Sequence, residues 1–292
     1  MKGRVRRVGI LGHTRRPGVR HAASRLATSL GRGGCQVRLD ADLARAMGRP
    51  GHAVTALAHW CQVMIALGGD GTALSGARAM AGRRGALLPV NFGGLGFLTA
   101  AEEGELSEVT RAALGGRWPV VRRRLVGAAV RRGGEIRHRG RAMNDAVVKT
   151  AGGYSAVHLR MTALGHDLGH LVADGIICAS ASGSTAYSLS AGGPVLAPDV
   201  EAFVVTPVCA HTLGSRPLVL APGGVVSLRL LGSFDHAMLL LDGQESIDLA
   251  AGDEVALGLT RATVRVFQNP ARSFGRALQA KLGWQGSERR SL

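Results

Sequence analysis

The stretch ALGGDGTALSGARAM, from Ala66 to Met80, decides the fold class of the N-terminal part of the chain. An apolar run ends at two glycines, and an aspartate, a third glycine and a threonine follow. If Asp-Gly formed a hairpin turn, a second strand would come next. The residues that follow are instead rich in alanine and do not alternate, so we expect a helix capped by Thr72. The stretch therefore predicts a strand, a glycine loop and a helix in succession.

The glycine loop GGDGT, residues 68–72, has the composition of a phosphate-binding loop. At the carboxyl end of a parallel strand, backbone N–H groups face a bound anion, and glycines let the backbone approach it closely. Asp70 would repel a phosphate, so it is better suited to accept a proton from an attacking hydroxyl or to hold a metal ion. No Gly-Lys-Ser/Thr follows, which excludes a Walker A loop. The loop predicts phosphoryl transfer.

The pattern of predicted elements divides the chain into two domains. Strand-like and helix-like runs alternate through the first third, which predicts a mainly parallel sheet with crossover helices. From Trp118 onward the chain reads as short strands with glycine turns, and the last segment is helical again. We therefore predict an α/β domain over residues 1–117, a β-rich, sandwich-like domain over residues 118–270, and a helical segment within residues 271–292.

Composition excludes several classes of protein. The formal net charge is +16, and nearly all the cations are arginine. The basic residues form only short clusters, and aromatic residues, which could stack on bases, make up 4% of the chain. We therefore expect no nucleic-acid partner. No apolar run approaches the roughly 20 residues of a membrane span or forms a signal peptide. The four cysteines lack metal-ligand spacing and are expected to be reduced core residues of a cytoplasmic protein.

Two further stretches are candidates for ligand binding. NFGGLGFL, residues 91–98, follows the strand expected to lie beside the GGDGT strand. DGIICASASGSTAYSLSAGGPVLAP, residues 174–198, combines a carboxylate with many small hydroxyl side chains, which suits hydrogen bonding to a sugar or a base. No serine lies in Gly-x-Ser-x-Gly, which excludes that type of serine hydrolase. His166 and His170 are four residues apart, a spacing that could bind zinc if both lay on one helix. The residues between them look like a turn between strands, so we predict no metal site formed by the protein alone.

Together these motifs resemble those of NAD kinases. The order is GGDGT, NFGGLGFLT, MNDAVV, the 174–198 stretch, AHTLGSRPLVL, DGQ and KLGW, from Gly68 to Trp284. Diacylglycerol-type lipid kinases and phosphofructokinases carry loops similar to GGDGT. The combination of GSTAYSLSAGGP with HTL-x-x-RPLV instead resembles NAD kinases rather than those relatives. The resemblance implies the two-domain fold shared by NAD kinases and diacylglycerol kinases, with the C-terminal segment packed on the first domain.

The resemblance also implies a reaction and its requirements. NAD kinases transfer the γ-phosphoryl of ATP, or a phosphoryl of polyphosphate, to the 2′-hydroxyl of the adenosine ribose of NAD, which gives NADP. A divalent metal, usually Mg²⁺, is required. Family members are homodimers or homotetramers, so a homo-oligomer is expected here.

Site residues follow from the matching positions. Asp70 would activate the 2′-hydroxyl, on a phosphate loop formed by Gly68, Gly69, Gly71 and Thr72. The remaining residues would bind NAD: Leu74 and Phe97 in the pocket wall, Asn144 and Asp145 at the adenine and ribose, Asp174 at the nicotinamide half, and Thr185, Ala186, Tyr187 and Ser190 on the adenine side.

Two departures from the family pattern leave an alternative open. Asp145 replaces the usual glutamate, which is one methylene longer, and Ser180-Ala181-Ser182 replaces the usual Thr-Pro-Thr. These changes allow a diverged, weakly active or non-catalytic NAD-sensing paralogue on the same fold. The presence of Asp70 favours the enzyme, because a binding protein has little use for a general base.

Overall fold

The computed structural model describes residues 5–93, 96, 98–152, 156–212, 214–233 and 236–283. Within these ranges the chain forms two compact units. The first contains the residues up to Arg122 and those from Arg265 onward, and the second contains Arg123–Val264. The predicted fold class, an α/β part followed by a β-rich part, is confirmed.

The first unit is an α/β structure around a parallel sheet. Its elements before the second unit are β1 (Arg7–Gly12), α1 (Val19–Arg32), β2 (Gln36–Leu39), α2 (Ala41–Ala46), α3 (Val54–Trp60), β3 (Val63–Gly68), α4 (Asp70–Met80), β4 (Ala86–Asn91), β5 (Ala101–Glu102) and α5 (Leu106–Leu114). The parallel strands lie in the order β4-β3-β1-β2, and the two-residue β5 pairs with β4.

The central strands explain why the sheet is parallel. Every residue of β3 and of β4 is buried, as expected of strands with helices on both faces. The helix α1 buries one stripe of side chains against the sheet, including Val19, Ala23 and Leu26. The short helices α2 and α3 were not predicted, because neither is long enough to show a helical period clearly.

The second unit is built mainly from antiparallel strands. Its elements are β6 (Val120–Arg132), β7 (Glu135–Ala142), β8 (Asp145–Thr150), β9 (Val157–Ala163), β10 (His166–Ala173), β11 (Gly175–Ser180), α6 (Tyr187–Ser190), β12 (Phe203–Val208), β13 (Leu218–Leu220), β14 (Val226–Ser233), β15 (Ala237–Leu241), β16 (Glu245–Leu249) and β17 (Glu254–Phe267). One sheet runs β13-β12-β11-β8-β15-β16, and the other contains β10-β9-β14-β17.

A single hydrophobic core joins the two sheets of the second unit, as in a β-sandwich. Val148, Ile176 and Leu239 come from the first sheet, and Leu159 and Leu228 from the second; all five are fully buried. His166 and His170 lie on one strand, β10, whose register shifts between Asp167 and Gly169. The expected turn between these histidines is therefore wrong.

The chain returns to the first unit within β17, at Arg265. Val266 pairs in parallel with Leu87 of β4, and the helix α7 (Phe274–Leu282) follows. The guanidinium of Arg272 donates to the carboxylate of Glu105 at 2.6 Å. None of the helices in the described part of the chain is long and apolar enough to cross a membrane.

Candidate functional site

The GGDGT loop lies at the carboxyl end of β3, at the point where the chain enters α4. β3 ends at Gly68, and α4 begins at Asp70, so the aspartate is in the first turn of the helix. The expectation that Thr72 caps this helix is wrong, because the capping position is Gly69. Asp70 is thus the acidic residue of the first turn, next to the positive end of the helix dipole.

Thr72 supports the loop instead of capping the helix. Its buried side chain folds back on Gly68, where an added Cβ atom would come within 2.2 Å of the Thr72 Oγ1 atom. Only glycine fits at that distance. The close approach explains why a glycine and a threonine are needed four residues apart.

The second glycine cluster lies beside the first, as predicted. β4 pairs with β3 in parallel, and Asn91 at its end is opposite Gly68. The backbone N–H of Phe92 donates to the carbonyl of Gly68 at 2.7 Å, which ties the two loops together. A Cβ atom on Gly96 would lie 2.2 Å from the Oδ1 atom of Asp70. The absence of a side chain at Gly96 therefore leaves room for the Asp70 carboxylate.

Asp70 has one carboxylate oxygen that is buried and unpaired. Its Oδ1 atom is inaccessible to solvent and makes no hydrogen bond to the described part of the chain. Leaving such an atom unpaired costs about 1–3 kcal/mol. Unpaired buried polar atoms in native proteins are rare, and a ligand or an ion commonly satisfies them.

Arg16 lies over both glycine loops, and the sequence did not single it out. It belongs to the loop after β1, the strand next to β3. Added Cβ atoms on Gly69 and Gly93 would lie 3.4 Å from its Nη2 atom and 2.7 Å from its Nη1 atom. Since the chain has 36 Lys and Arg residues, one more arginine in a loop gives no signal.

The other candidates on this unit are placed as follows. Leu74 is buried on α4, one turn after Asp70. Gly71 is exposed on the first turn of the same helix. Phe97 lies outside the described residues.

In the second unit, Met143 and Asn144 form the bend between β7 and β8, and Asp145 is the first residue of β8. The carboxylate of Asp242 accepts hydrogen bonds from three successive backbone N–H groups, those of Met143 at 2.9 Å, Asn144 at 2.7 Å and Asp145 at 3.3 Å. In return, the N–H of Asp242 donates to the carbonyl of Asp145 at 2.9 Å. The DGQ motif thus fixes the backbone of the turn.

The environment of Asp145 is unfavourable to its charge. Burial, and secondly the negative charge of Asp242, raise the pKa of Asp145 to about 7. Near neutral pH a substantial share of this carboxyl group is therefore protonated and can donate a hydrogen bond. The Oδ1 atom of Asn144 is buried and has no hydrogen-bond partner in the described part of the chain.

The hydroxyl-rich stretch builds its own loop. Ser180 donates to the carbonyl of Met143 at 2.6 Å and accepts from the N–H of Gly183 at 3.1 Å. Ser184 donates to the carbonyl of Ala181, and Ser188 bonds to Thr206. For these three buried serines, the expectation that the hydroxyls bind a sugar or a base is wrong.

Gly183 draws this loop against the Asn144 turn. An added Cβ atom would lie 2.0 Å from the carbonyl oxygen of Asn144. The four adjoining candidates differ in exposure: Thr185 is buried and donates to the carbonyl of Ser182 at 3.3 Å, Ala186 is half-buried, and Tyr187 and Ser190 are exposed.

Asp174 lies at the other end of β11 from Asp145. Asp145 pairs with Ala179 near the end of that strand, and Asp174 precedes its first residue. At about 3.4 Å per residue the two positions are about 17 Å apart along the strand, so they can meet only different ends of a long ligand. Asp174 is exposed, and its hydrogen bond with Cys209 raises the pKa of that thiol.

The cysteine expectations are met in part. All four are free; Cys61 and Cys178 are buried, and Cys35 is half-buried. Cys209 is exposed, so its assignment to the core is wrong. It adopts a left-handed backbone with φ +48°, at the end of β12.

Comparison with known proteins agrees with this geometry. The family models of the ATP-NAD kinase N-terminal and C-terminal domains match residues 8–117 and 143–267. The NAD kinase of Geobacter metallireducens is 34% identical over 96% of this chain and 99% of its own length. NAD kinase 2 of Streptomyces coelicolor is 34% identical over 98% and 99%, and the NAD kinase of Desulforamulus reducens is 38% identical over 77% and 78%.

Solved structures give the same result. The crystal structure of yeast NADH kinase complexed with NADH superposes with a TM-score of 0.89 at 25% identity, covering 100% of this chain and 91% of that one. The NAD kinase of Archaeoglobus fulgidus in complex with ATP has a TM-score of 0.73 at 23% identity, over 95% and 98%, and shares the fold. The chain belongs to the NAD kinase family.

Proposed function

We propose that this chain is an NAD kinase that transfers the γ-phosphoryl of ATP to the 2′-hydroxyl of the adenosine ribose of NAD. The oxygen of that hydroxyl attacks the γ-phosphorus, the bond to the β-phosphate oxygen breaks, and ADP leaves. The hydroxyl proton passes to a carboxylate. The products are NADP and ADP. Polyphosphate could serve as donor in the same way.

The observation that carries the proposal is the buried, unpaired Oδ1 atom of Asp70. It lies at a strand end between two glycine loops, in the type of position where α/β sheets bind ligands. As general base, Asp70 would accept the proton of the 2′-hydroxyl, while the bare backbone of Gly68 and Gly69 lets phosphate approach. Little covalent help is needed, because phosphoryl transfer depends on positioning and charge neutralisation.

The residues expected to bind NAD have matching chemistry. Asn144 has a free amide oxygen for the adenine or ribose, and Asp145 when protonated can both donate to and accept from a ribose hydroxyl. Thr185, Ala186, Tyr187 and Ser190 would line the adenine side, with Leu74 and Phe97 in the pocket wall. Asp174, far along β11, would meet the nicotinamide half.

The residues present fit a magnesium ion held mainly by substrate. Mg²⁺ usually keeps several waters and binds through one or two carboxylates together with phosphates. Among the described residues there is no cluster of three side chains that could hold a metal alone. Asp70 is the carboxylate on the glycine loops. If its unpaired Oδ1 atom takes the proton, its second oxygen would be the one to contact the ion or one of its waters. When bound, the ion would neutralise charge on the donor phosphates.

We also propose that the enzyme is a cytoplasmic homo-oligomer, a dimer or a tetramer. The four free cysteines suit a reducing compartment. The oligomeric state rests on the family resemblance alone. Size-exclusion chromatography with light scattering would measure it directly.

The proposal is tested by incubating the protein with NAD, ATP and Mg²⁺ and measuring NADP with an NADP-specific dehydrogenase. The Asp70→Asn variant keeps the size of the side chain and removes the base. We expect NADP from the parent and a kcat lower by about 10²- to 10⁴-fold in the variant. Asp42→Asn, an exposed aspartate on α2, is the matched control and should equal the parent.

Each other outcome has a definite meaning. If Asp70→Asn is as fast as the parent, Asp70 is not the base. If no NADP forms with ATP or with polyphosphate, the kinase proposal fails. Calorimetry with NAD would then test the alternative, a non-catalytic protein of the same fold that senses NAD.

A further inference from the structure

We propose that Arg16 binds the phosphates of the phosphoryl donor and holds the transferred group next to Asp70. This inference rests on the proposed kinase function and names a donor-side residue for it. The motifs that resemble NAD kinases begin at Gly68, so they assign no role to Arg16. Its position in the sheet and its contacts carry the argument.

Arg16 lies at the point of the sheet where a ligand is expected. From β1 the chain passes through α1 to β2 on one side, while β3 and β4 lie on the other side of β1. Such a reversal of strand order leaves a crevice at the carboxyl ends of the two middle strands, here β1 and β3. The loop containing Arg16 follows β1 and is anchored there, because the N–H of His13 donates to the carbonyl of Leu67 at 2.9 Å.

The guanidinium bridges the ends of β3 and β4. Its Nη2 and Nη1 atoms lie 3.4 and 2.7 Å from where Cβ atoms of Gly69 and Gly93 would be. A side chain at Gly93 would collide with it. The two glycines thus make room for the guanidinium as well as for a ligand, and Gly69 is the residue directly before Asp70.

The guanidinium retains most of its hydrogen-bonding capacity. Its one hydrogen bond to a described residue is long, 3.4 Å from Nη1 to the carbonyl of Phe92. It forms no ion pair with a carboxylate of the described residues. Arg272 on the same unit contrasts with it, because it binds Glu105 and Glu102. An exposed guanidinium with free donors above bare backbone is suited to an oxyanion.

Phosphates of the donor fit this position better than the other polyanion in the reaction, the pyrophosphate of NAD. All the polar side chains expected to bind NAD belong to the second unit, whereas Arg16 and Asp70 share the first. The Asp70 carboxylate repels a phosphate. The guanidinium of Arg16, which lies over the adjacent residue Gly69, offsets that repulsion. A planar, permanently charged guanidinium can also bind two phosphate oxygens at once, as transition-state charge develops.

The test compares Arg16→Gln and Arg16→Lys with Arg15→Gln, which removes an equal charge from the neighbouring exposed residue. Steady-state kinetics give the KM for ATP, the KM for NAD and kcat. Calorimetry with inorganic triphosphate measures phosphate binding without turnover. Because Arg16 is exposed, the variants are expected to fold, and thermal unfolding verifies it.

We expect Arg16→Gln to lower kcat/KM for ATP by about 10- to 100-fold and to weaken triphosphate binding by at least about tenfold, with the KM for NAD changed less than about twofold. Arg16→Lys should be intermediate, because it keeps the charge and loses the planar donor pair. Arg15→Gln should match the parent.

Three results would overturn the assignment: Arg16→Gln equal to Arg15→Gln, a KM change confined to NAD, or no triphosphate binding by the parent. Failure of the kinase function is distinguishable from these. If the parent makes no NADP but binds triphosphate in an Arg16-dependent way, the phosphate site stands and the kinase proposal falls.

Discussion

The carboxylate of Asp242 accepts a hydrogen bond at 2.7 Å from the backbone N–H of Asn144, 98 residues earlier in the chain. The same carboxylate also accepts from Met143 and Asp145, and its residue has a left-handed backbone with φ +52°. One side chain thus fixes the turn that carries two proposed NAD-binding residues. The DGQ motif can therefore affect NAD binding without any contact to NAD.

Asp242→Asn should weaken NAD binding through the Asn144 turn. Asparagine tolerates the left-handed backbone, and its one amide oxygen can still accept from Asn144 and Asp145, as Oδ1 does. Its amide nitrogen cannot accept from the N–H of Met143, which bonds to Oδ2 in the parent. We expect a loss of unfolding free energy of about 1–3 kcal/mol and a KM for NAD raised several-fold, with a smaller effect on the KM for ATP. Urea unfolding and steady-state kinetics measure both.

The control for this variant is Asp248→Asn on β16, an exposed aspartate of the same unit. It should behave as the parent. Loss of stability without any change in the KM for NAD would limit Asp242 to a structural role.

Much of the fold could be predicted because its signals are local. The runs that became β3 and β4 are apolar except for Asn91 at the end of β4, as is typical of buried parallel strands. Their loops meet because the carboxyl ends of parallel strands share an edge of the sheet. The short helices α2 and α3 gave no such signal. The start of α4 was misplaced by three residues, because Thr72 resembles a cap and instead packs on Gly68.

Long-range contacts set the limit for the site. Nothing near Asp242 in the sequence shows that it binds the turn at Asn144, and nothing near Arg16 shows that it lies over Gly69 and Gly93. The serines of the 174–198 stretch were counted as ligand groups, since composition cannot tell a hydroxyl bonded within its own loop from one facing a ligand.

Gly96→Ala should displace the Asp70 carboxylate and slow the chemistry. The new Cβ atom would fall 2.2 Å from the Oδ1 atom of Asp70, so one of the two must move. A small misplacement of a catalytic group can cost up to about 10²-fold, and we expect kcat to fall by about 10- to 100-fold. Kinetics with saturating NAD and ATP measure it.

Gly31→Ala is the matched control, since an added Cβ atom at this exposed helical position meets nothing within 4 Å. It should keep full activity and gain about 0.5–1 kcal/mol of stability. Equal activity of both variants would show that Gly96 does not position Asp70.

Asp145→Asn should be more stable than the parent at alkaline pH. The pKa of Asp145 is raised from 3.8 to about 7 in the folded protein, so the folded state binds the proton more tightly than the unfolded state. The resulting stability is fully present below pH 4 and is lost as the pH rises to about 7. Asparagine does not titrate and avoids this loss.

The measurement is urea unfolding of parent and variant between pH 4.5 and 8.5. The stability difference should grow with pH to a few kcal/mol, about 4 at most, and level off above pH 7. A difference independent of pH would mean that Asp145 ionises normally.

Cys209 should be the first thiol to react with a disulfide reagent in the native protein. It is exposed, whereas Cys61 and Cys178 are buried and burial raises the pKa of both thiols, that of Cys61 to about 11. At pH 8 we expect one fast phase that Cys209→Ser abolishes. The two buried thiols should react only after unfolding.

The neighbour of this thiol links the labelling rate to NAD. The hydrogen bond to the Asp174 carboxylate raises the pKa of Cys209, so Asp174→Asn should lower that pKa and increase the labelling rate at pH 8. Asp199→Asn, which changes another exposed carboxylate of the same unit, should leave the rate unchanged.

If Asp174 meets the nicotinamide half of NAD, saturating NAD should slow the fast phase in the parent and have less effect in Asp174→Asn. A labelling rate unaffected by NAD in both proteins would remove Asp174 from the binding site, because a ligand contacting Asp174 must also shield the thiol bonded to it.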